Sequence, residues 1–210
     1  MTLAEILEIL ESILATTASH TVRDRRSIRN ERYFHHMFSY LVTGKLGGDA
    51  CWRDLKLHPE HATTLRFRRK KISVYDYRVT AAEGVGNGRR GNIDFMIAGE
   101  PRLLVEWKGP NIYSEKELLE VFLKLLTEPE QDFKVIAAIF TSSEIDRADH
   151  KITIIERFNK YLNLAKQVLH EKSLTSDLSR LNLHALIASI PSAGPQKIHW
   201  GPVSGDLPLS

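Results

Sequence analysis

The sequence predicts an α/β protein in which helices flank a mixed central sheet. Segments with apolar residues every three or four positions alternate with short strands rich in branched residues, which is typical of this class. The run 133–141 is almost continuously apolar, as expected of a strand covered on both faces. Two further strands, 92–98 and 102–108, are separated by a short turn and add an antiparallel pair.

The chain has 210 residues, of which 42% are hydrophobic and 26% are charged. This length predicts one large domain, or one domain with embellishments, and the ordinary composition argues against disordered and low-complexity classes. A single cysteine cannot form an internal disulfide, which indicates a reducing, cytoplasmic compartment. No apolar run approaches the ~20 residues of a membrane span, and the acidic amphipathic start does not resemble a signal peptide. We therefore expect no membrane partner.

The chain begins with an amphipathic helix. Thr2 and Glu5 form a capping box, and apolar residues at helical spacing continue to about Ala15. A basic polar stretch, 16–28, follows, so residues 1–28 are predicted to be an N-terminal helix and a basic linker. The apolar face of this helix fits either a homodimer interface or packing on the chain's own core.

A second helix is predicted over 29–43 and ends before the glycine-rich segment 44–48. The HPEH segment at 58–61 is typical of a loop or turn. Residues 71–81 alternate and are rich in valine, isoleucine and tyrosine, which predicts a strand. The asparagine–glycine pair at 87–88 marks a turn before the next strand.

The main domain is predicted to extend over 29–190. After the two paired strands, the expected elements are a helix from Ser114, the buried strand 133–141, a helix over about 149–171, a strand near 181–190, and an irregular tail over 191–210.

The paired strands bring two acids together. If the turn 99–101 is a three-residue loop, the numbers of facing residues sum to about 200, so Asp94 faces Glu106. Because side chains alternate between the faces of a strand, one face carries Asp94, Glu106 and Lys108. The opposite face is predicted to be a core face formed by Ile93, Phe95, Ile97, Leu103, Val105 and Trp107.

Like charges directly opposite each other on paired strands are destabilising. A divalent cation between Asp94 and Glu106 would remove the repulsion, because hard oxygen ligands are what Mg²⁺ prefers. The alternative is a surface hairpin on which Lys108 neutralises one acid. Both strands are strongly apolar, however, which favours a central position in the sheet.

An acid on one strand followed by Glu106-Trp107-Lys108 on the next resembles the pattern of the PD-(D/E)XK nuclease superfamily. The predicted order over 29–141 (helix, three strands, helix, strand) is also similar to the restriction-endonuclease-like αβββαβ core of that superfamily. The chain departs from the family pattern at Ile93, where proline is usual. The resemblance implies a nuclease that hydrolyses phosphodiester bonds, most often an endonuclease acting on DNA, with Mg²⁺ or Mn²⁺ as cofactor.

The resemblance also implies roles for individual residues. Asp94 and Glu106, with the backbone carbonyl of Trp107, would hold the metal ion, and Lys108 would orient or help deprotonate the attacking water. The family often adds an acid from the first core helix, and Glu31 is the candidate here.

Glu31 lies within the apolar stripe of its predicted helix, beside Phe34, Phe38 and Val42. A carboxylate there is costly to bury unless it is paired or bound to a metal. It also lies in the first turn, where acids are favoured by the helix dipole and are often exposed. His35, one turn further, fits either a place beside the metal ligands or, preferably, a hydrogen-bonded core histidine.

Charge is distributed unevenly. Between His20 and Lys71 there are thirteen lysines and arginines against five acids, which suits a polyanion such as nucleic acid, although a solvated surface and a charge-protected edge strand are alternatives. The candidate phosphate contacts are Arg68, Arg69, Lys70, Lys71, Arg89 and Arg90. Two rival interpretations remain: a non-catalytic nucleic-acid-binding or scaffold module on the same fold, and an unrelated α/β protein whose acids face solvent.

Overall fold

The structure is a computed structural model, and it describes residues 3–23, 31–48, 54, 56–71, 77–82, 88–108, 115–141, 154–172, 174, 182–190 and 193–200. Its elements, in chain order, are α1 (Leu3–Arg23), α2 (Glu31–Lys45), β1 (Leu57–Lys71), β2 (Tyr77–Ala82), β3 (Arg89–Ile97), β4 (Leu103–Lys108), α3 (Glu115–Leu126), β5 (Phe133–Thr141), α4 (Ile154–Glu171), β6 (Leu183–Ile190) and β7 (Ala193–His199). None of these described helices is long and apolar enough to cross a bilayer.

The strands form one seven-stranded sheet in the order β2-β1-β3-β4-β5-β6-β7. The pairs β2–β1, β1–β3, β3–β4 and β6–β7 are antiparallel, whereas β4–β5 and β5–β6 are parallel. The two parallel pairs require crossovers, and helices α3 and α4 provide them. The predicted α/β class with a mixed sheet is therefore confirmed.

Each face of the sheet is covered by two helices. Helices α1 and α2 pack on the first face, where Phe34 and Phe38 contact the fully buried Trp107. Helices α3 and α4 pack on the second face around Phe122 and Phe158. Burying each such aromatic side chain is worth about 1.5–3 kcal/mol. The two faces together make one domain core.

Strand β5 lies between these two clusters, as its apolar sequence predicts. Val135 and Ala137 belong to the first cluster, and Ile136 and Ala138 belong to the second. The strand 133–141 is thus confirmed, and its described side chains are covered on both faces.

The predicted register of the hairpin is also confirmed. Phe95 pairs with Val105 and Ile97 with Leu103, so the numbers of facing residues sum to 200. The predicted core face is wrong at Ile93, however, because this side chain lies in the second cluster instead of with Phe95 in the first.

The alternation of side chains is interrupted next to Ile93. The amide of Asp94 bonds to the side chain of Glu106. On the neighbouring strand, Glu60 lies between the partners of Phe95 and Ile93 and has a positive φ of 54°. These two local irregularities let Ile93 turn towards the second face.

Two predictions in the first half of the chain are wrong. The HPEH segment at 58–61 is not a loop but part of β1. The predicted strand 71–81 is divided between the end of β1 and β2, with 72–76 outside the described residues. The cross-strand pairs Arg66↔Ala82 and Lys71↔Tyr77 show that the two form an antiparallel pair, which a continuous alternating pattern does not reveal.

The two ends of the chain differ from the prediction as well. Helix α1 continues to Arg23, into the predicted linker. Its buried side chains, among them Ile6, Leu10 and Leu14, lie in the first cluster, so the helix packs on the chain's own core. The tail predicted to be irregular contains β7, because an edge strand tolerates the glycine and proline of its sequence.

A cluster of charged side chains, three of them buried, lies beside the turn between β3 and β4. The Nε of Arg102 donates to both carboxylate oxygens of Asp132 at 3.1 Å, and its Nη2 lies 3.4 Å from Glu128. Lys134 is 1% exposed, and its Nζ donates to the carbonyl oxygen of Pro129 at 2.8 Å. Burial lowers the pKa of Lys134 to about 8, although the nearby carboxylates oppose this shift.

This pKa predicts an unusual dependence of stability on pH. Between pH 8 and 10.5, Lys134 is largely deprotonated in the folded protein and still protonated in the unfolded chain. The unfolded state then binds more protons, so the Lys134 contribution to the free energy of unfolding increases with pH, by up to about 3 kcal/mol. We expect Lys134→Met to lose this contribution, as measured by urea unfolding at pH 7, 8.5 and 10. Parallel pH profiles for the wild type and the variant would contradict the prediction.

Candidate functional site

The candidate site lies where β3 and β4 stop pairing through their backbones. The last regular pair that the structure describes is Phe95 with Val105. Beyond it, the amide of Asp94 donates to Oε2 of Glu106 at 3.2 Å, and the amide of Trp107 donates to Oδ2 of Asp94 at 2.6 Å. Each carboxylate thus accepts an amide hydrogen bond from the opposite strand. We call this pair of hydrogen bonds the reciprocal amide lock.

Both acids are withdrawn from water. Glu106 is fully buried, and the side chain of Asp94 is 13% exposed. A surface hairpin with solvated acids is therefore not what the structure shows. Because a buried carboxylate is costly unless it is paired and hydrogen-bonded, the surroundings of these two side chains decide what the site can do.

Two lysine ammonium groups contact the same carboxylate oxygen of Glu106. Lys108 Nζ lies 3.3 Å from Oε1 of Glu106. Lys124 Nζ, from the last turn of α3, makes a close ion pair with the same oxygen and donates to the backbone carbonyl of Asn92 at 2.7 Å. The sequence reasoning did not identify Lys124. A signal does exist, since it is the only charged residue in the apolar run 121–126.

Asp94 faces an imidazole on the other side. His35 Nε2, from α2, lies 3.5 Å from Oδ2 of Asp94, and its ring packs edge-on against Phe95. Burial raises the pKa of Asp94, but the hydrogen bond from His35, the charges of Lys108 and His35, and the Trp107 amide together hold it below its ordinary value. Asp94 is therefore an ionised carboxylate. His35 thus lies between Asp94 and the core residue Phe95, a position that fits both interpretations given by the sequence.

A third potential ligand comes from β1. His35, Glu60 and Asp94 each offer one ligand atom, and these atoms lie within 4.8 Å of one another. Glu60 is exposed and accepts a hydrogen bond from Asn92 Nδ2 at 3.0 Å. The sequence analysis missed Glu60 because the composition of 58–61 is that of a turn. Two carboxylate oxygens and one imidazole nitrogen suit Mn²⁺, and the carboxylates suit Mg²⁺.

The remaining predicted metal ligands are not brought to the site by described contacts. Glu31 is the first residue of α2, but its side chain lies outside the described residues. The indole of Trp107 stacks on Phe34 at 5.6 Å in the core, so only the backbone of Trp107 reaches the site.

The predicted phosphate contacts lie on the far parts of β1 and β3. Arg89 and Arg90 are exposed, and the register places Arg66 opposite Arg90. Residues 68–71 continue β1 beyond Arg66 and pair with β2, while their side chains lie outside the described residues. Arg90 is four residues from Asp94 on β3, a separation of about 13 Å.

No known protein family, curated protein or solved structure matches this chain. What the site can do therefore follows from the chemistry of its own side chains. An ionised carboxylate stands beside an imidazole and a second carboxylate, and next to it a buried carboxylate carries two ammonium groups. Carboxylate oxygens bind divalent cations, and ammonium groups stabilise anionic phosphate.

Unfolding experiments can test how much the Glu106 charge stabilises the fold through Lys108 and Lys124. Glu106→Gln retains an oxygen for the Asp94 amide but removes the counter-charge of both ammonium groups, so we expect the free energy of unfolding to fall by about 3 kcal/mol. Glu100→Gln, in the exposed turn of the same hairpin, is the control and should change it by less than about 0.5 kcal/mol. Urea unfolding measures both variants, and equal effects would show that the two ammonium groups do not need the carboxylate.

Proposed function

We propose that the chain is a divalent-metal-dependent nuclease that hydrolyses phosphodiester bonds, with DNA as the favoured substrate. The observation that carries this proposal is the reciprocal amide lock, which holds Asp94 and Glu106 together at the break between two central strands. Lys108 acts on both acids, through its contact with Glu106 and its charge on Asp94. An acid pair with an adjacent ammonium group is suited to metal-assisted attack on a phosphodiester.

The order of the elements supports the same proposal. When β2 is left out, helix α2, strands β1, β3 and β4, helix α3 and strand β5 have the order helix, three strands, helix and strand. The acid lies on the middle strand and Glu-x-Lys on the third, as in the PD-(D/E)XK superfamily. In this comparison β2 is an additional strand outside β1, and the first core strand is β1 instead of the predicted strand 71–81.

The donor set fits a divalent cation. Asp94 would hold it with His35 and Glu60, whose ligand atoms lie within 4.8 Å of one another. Glu106 lies outside this group and is a proposed ligand that would have to exchange one of its present cations for the metal. The Trp107 carbonyl and Glu31 remain proposed ligands. When bound, Mg²⁺ or Mn²⁺ supplies Lewis-acid polarisation of a phosphate group.

The chain's own residues would do the remaining work. The imidazole of His35, 3.5 Å from Oδ2 of Asp94, helps to orient Asp94 and stabilises its ionised form. Lys108, 12% exposed, can orient the attacking water and stabilise the negative charge that accumulates on the phosphate oxygens. The buried position of Glu106 strengthens these charge interactions, because water does not screen them.

Cleavage assays test the site directly. We expect Asp94→Asn and Lys108→Met each to slow cleavage of plasmid and single-stranded DNA by at least about 100-fold in Mn²⁺ or Mg²⁺, since each removes one charge from the site. Lys172→Met removes a lysine from an exposed position after α4 and should leave the rate unchanged.

Two outcomes would overturn the assignment. Activity that survives both site substitutions would place the chemistry elsewhere. Binding of nucleic acid by the wild type without any cleavage would favour the non-catalytic binding module. An RNA substrate in parallel with the DNA substrates tests the preference for DNA.

The exposed arginines of β3 support a nucleic-acid substrate independently of the acids. The separation of about 13 Å between Arg90 and Asp94 corresponds to about four base pairs of duplex. A duplex whose backbone contacts Arg89 and Arg90 can therefore reach Asp94 within half a helical turn.

The salt dependence of binding measures these phosphate contacts. In an Asp94→Asn background, which is expected to slow cleavage, we expect Arg89→Gln/Arg90→Gln to reduce the slope of log K against log salt concentration by nearly 2, or about 0.9 per lost contact. Lys45→Gln/Lys172→Gln removes the same charge near the C-terminal ends of α2 and α4 and is the control. Fluorescence anisotropy of a labelled duplex provides the slopes, and parallel lines for the two double variants would exclude Arg89 and Arg90 from the interface.

A further inference from the structure

Lys124 reaches the site along a path that the sheet leaves open for it. A Cβ atom on Gly91 would lie 3.0 Å from Cδ and 3.1 Å from Cγ of Lys124. The absence of a side chain at Gly91 therefore makes room for the lysine stem. The amide of Gly91 donates to the buried hydroxyl of Thr63 at 2.9 Å, which holds this part of β3 in place.

The end of the Lys124 side chain is held by oxygen atoms on two strands. Its Nζ contacts Oε1 of Glu106 on β4 and the carbonyl oxygen of Asn92 on β3. The side chain is 17% exposed, and most of its neighbours on α3 are buried apolar residues. Lys124 thus places a second positive charge, beside that of Lys108, in contact with the fully buried carboxylate of Glu106.

The contacts of Lys124 also explain why Glu106 is less available to a metal ion than Asp94 is. Both oxygens of Glu106 already have partners, because Oε1 accepts from two ammonium groups and Oε2 from the Asp94 amide. The close group of potential metal ligands accordingly contains Asp94 but not Glu106. Glu106 can take part in metal binding only if one of its present cations gives way.

We infer that Lys124 is a tethered cation that positions Glu106 and competes with a divalent metal ion for its carboxylate. The inference rests on the proposed metal site. Lys108 lies in the Glu-x-Lys segment on β4 itself, whereas Lys124 approaches from a helix across the second face of the sheet. Removing Lys124 should therefore lower the stability of the metal-free protein and increase its affinity for the metal.

The experiment compares Lys124→Met with the wild-type chain, using Mn²⁺ alone as the probe. Methionine keeps most of the apolar stem beside Gly91 and removes the charge. Without metal, the melting temperature of the variant should be lower, because Glu106 has lost one of its two counter-charges. With Mn²⁺, its Kd should decrease by at least about tenfold, since one competing positive charge is gone. Calorimetric titration and the electron paramagnetic resonance signal of unbound Mn²⁺ both measure this affinity.

Lys124→Gln and Lys166→Met complete the design. Lys124→Gln keeps a donor for Glu106 without the charge, and it should also bind Mn²⁺ more tightly than the wild type, even if the methionine variant folds poorly. Lys166→Met removes a half-buried lysine from α4 and should bind Mn²⁺ as the wild type does. A destabilised Lys124 variant with unchanged Mn²⁺ affinity would show a purely structural role and overturn the inference.

The same titration separates this inference from the proposed function. If the wild type binds Mn²⁺, Asp94→Asn does not, and both Lys124 variants match the wild type, then the metal site stands and only the role of Lys124 is refuted. If neither the wild type nor the Lys124 variants bind Mn²⁺, the proposed metal site fails, and the role of Lys124 fails with it.

Discussion

The burial of one carboxylate, that of Glu106, constrains the surrounding structure more than any other single interaction. Removing a charge from water costs several kcal/mol, and only close partners of opposite charge and good hydrogen bonds offset it. The partners are the amide of Asp94 and the ammonium groups of Lys108 and Lys124, which come from β3, β4 and α3. Because three elements must converge on Glu106, its charge ties the hairpin to the helix on the second face of the sheet.

The first face of the sheet fixes the other half of the site. Trp107 stacks on Phe34 of α2, and the next residue of that helix, His35, is thereby directed towards Asp94. The amide of the same Trp107 donates to Asp94. One residue therefore joins the core and the site: its indole positions α2, and its backbone holds the acid. A strand that kept regular pairing through this point would have used that amide for a backbone hydrogen bond.

The local pattern of the sequence was sufficient to predict the features that depend on period and turn length. The register of the hairpin over Phe95–Ile97 follows from a three-residue turn. The predicted common face for Asp94 and Glu106 does not follow, because the alternation breaks at this point: Asp94 contacts His35 of α2, whereas Glu106 contacts Lys124 of α3 on the second face. Features that depend on long-range contacts escaped prediction. Glu60 lies in a segment with the composition of a turn, although pairing with β3 makes it part of a strand. The contact of Lys124 with Glu106 becomes evident only once α3 is placed over the sheet. The break at Ile93 becomes evident only once the Asp94 amide bonds to the Glu106 side chain instead of the ladder.

The two ends of the hairpin differ in the cation that meets their buried acids, and the difference in chemistry fits a difference in role. At the turn, Arg102 donates to both oxygens of Asp132 through a rigid, permanently charged guanidinium whose planar geometry matches a carboxylate. At the site, Glu106 is met by the ammonium groups of Lys108 and Lys124, which are point charges on flexible stems. An ammonium group of this kind holds a carboxylate without fixing one geometry, which is the property that the inferred competition with a metal ion requires. The arginine end fixes one geometry at the turn, and in the proposed nuclease the lysine end would keep Glu106 available for metal binding.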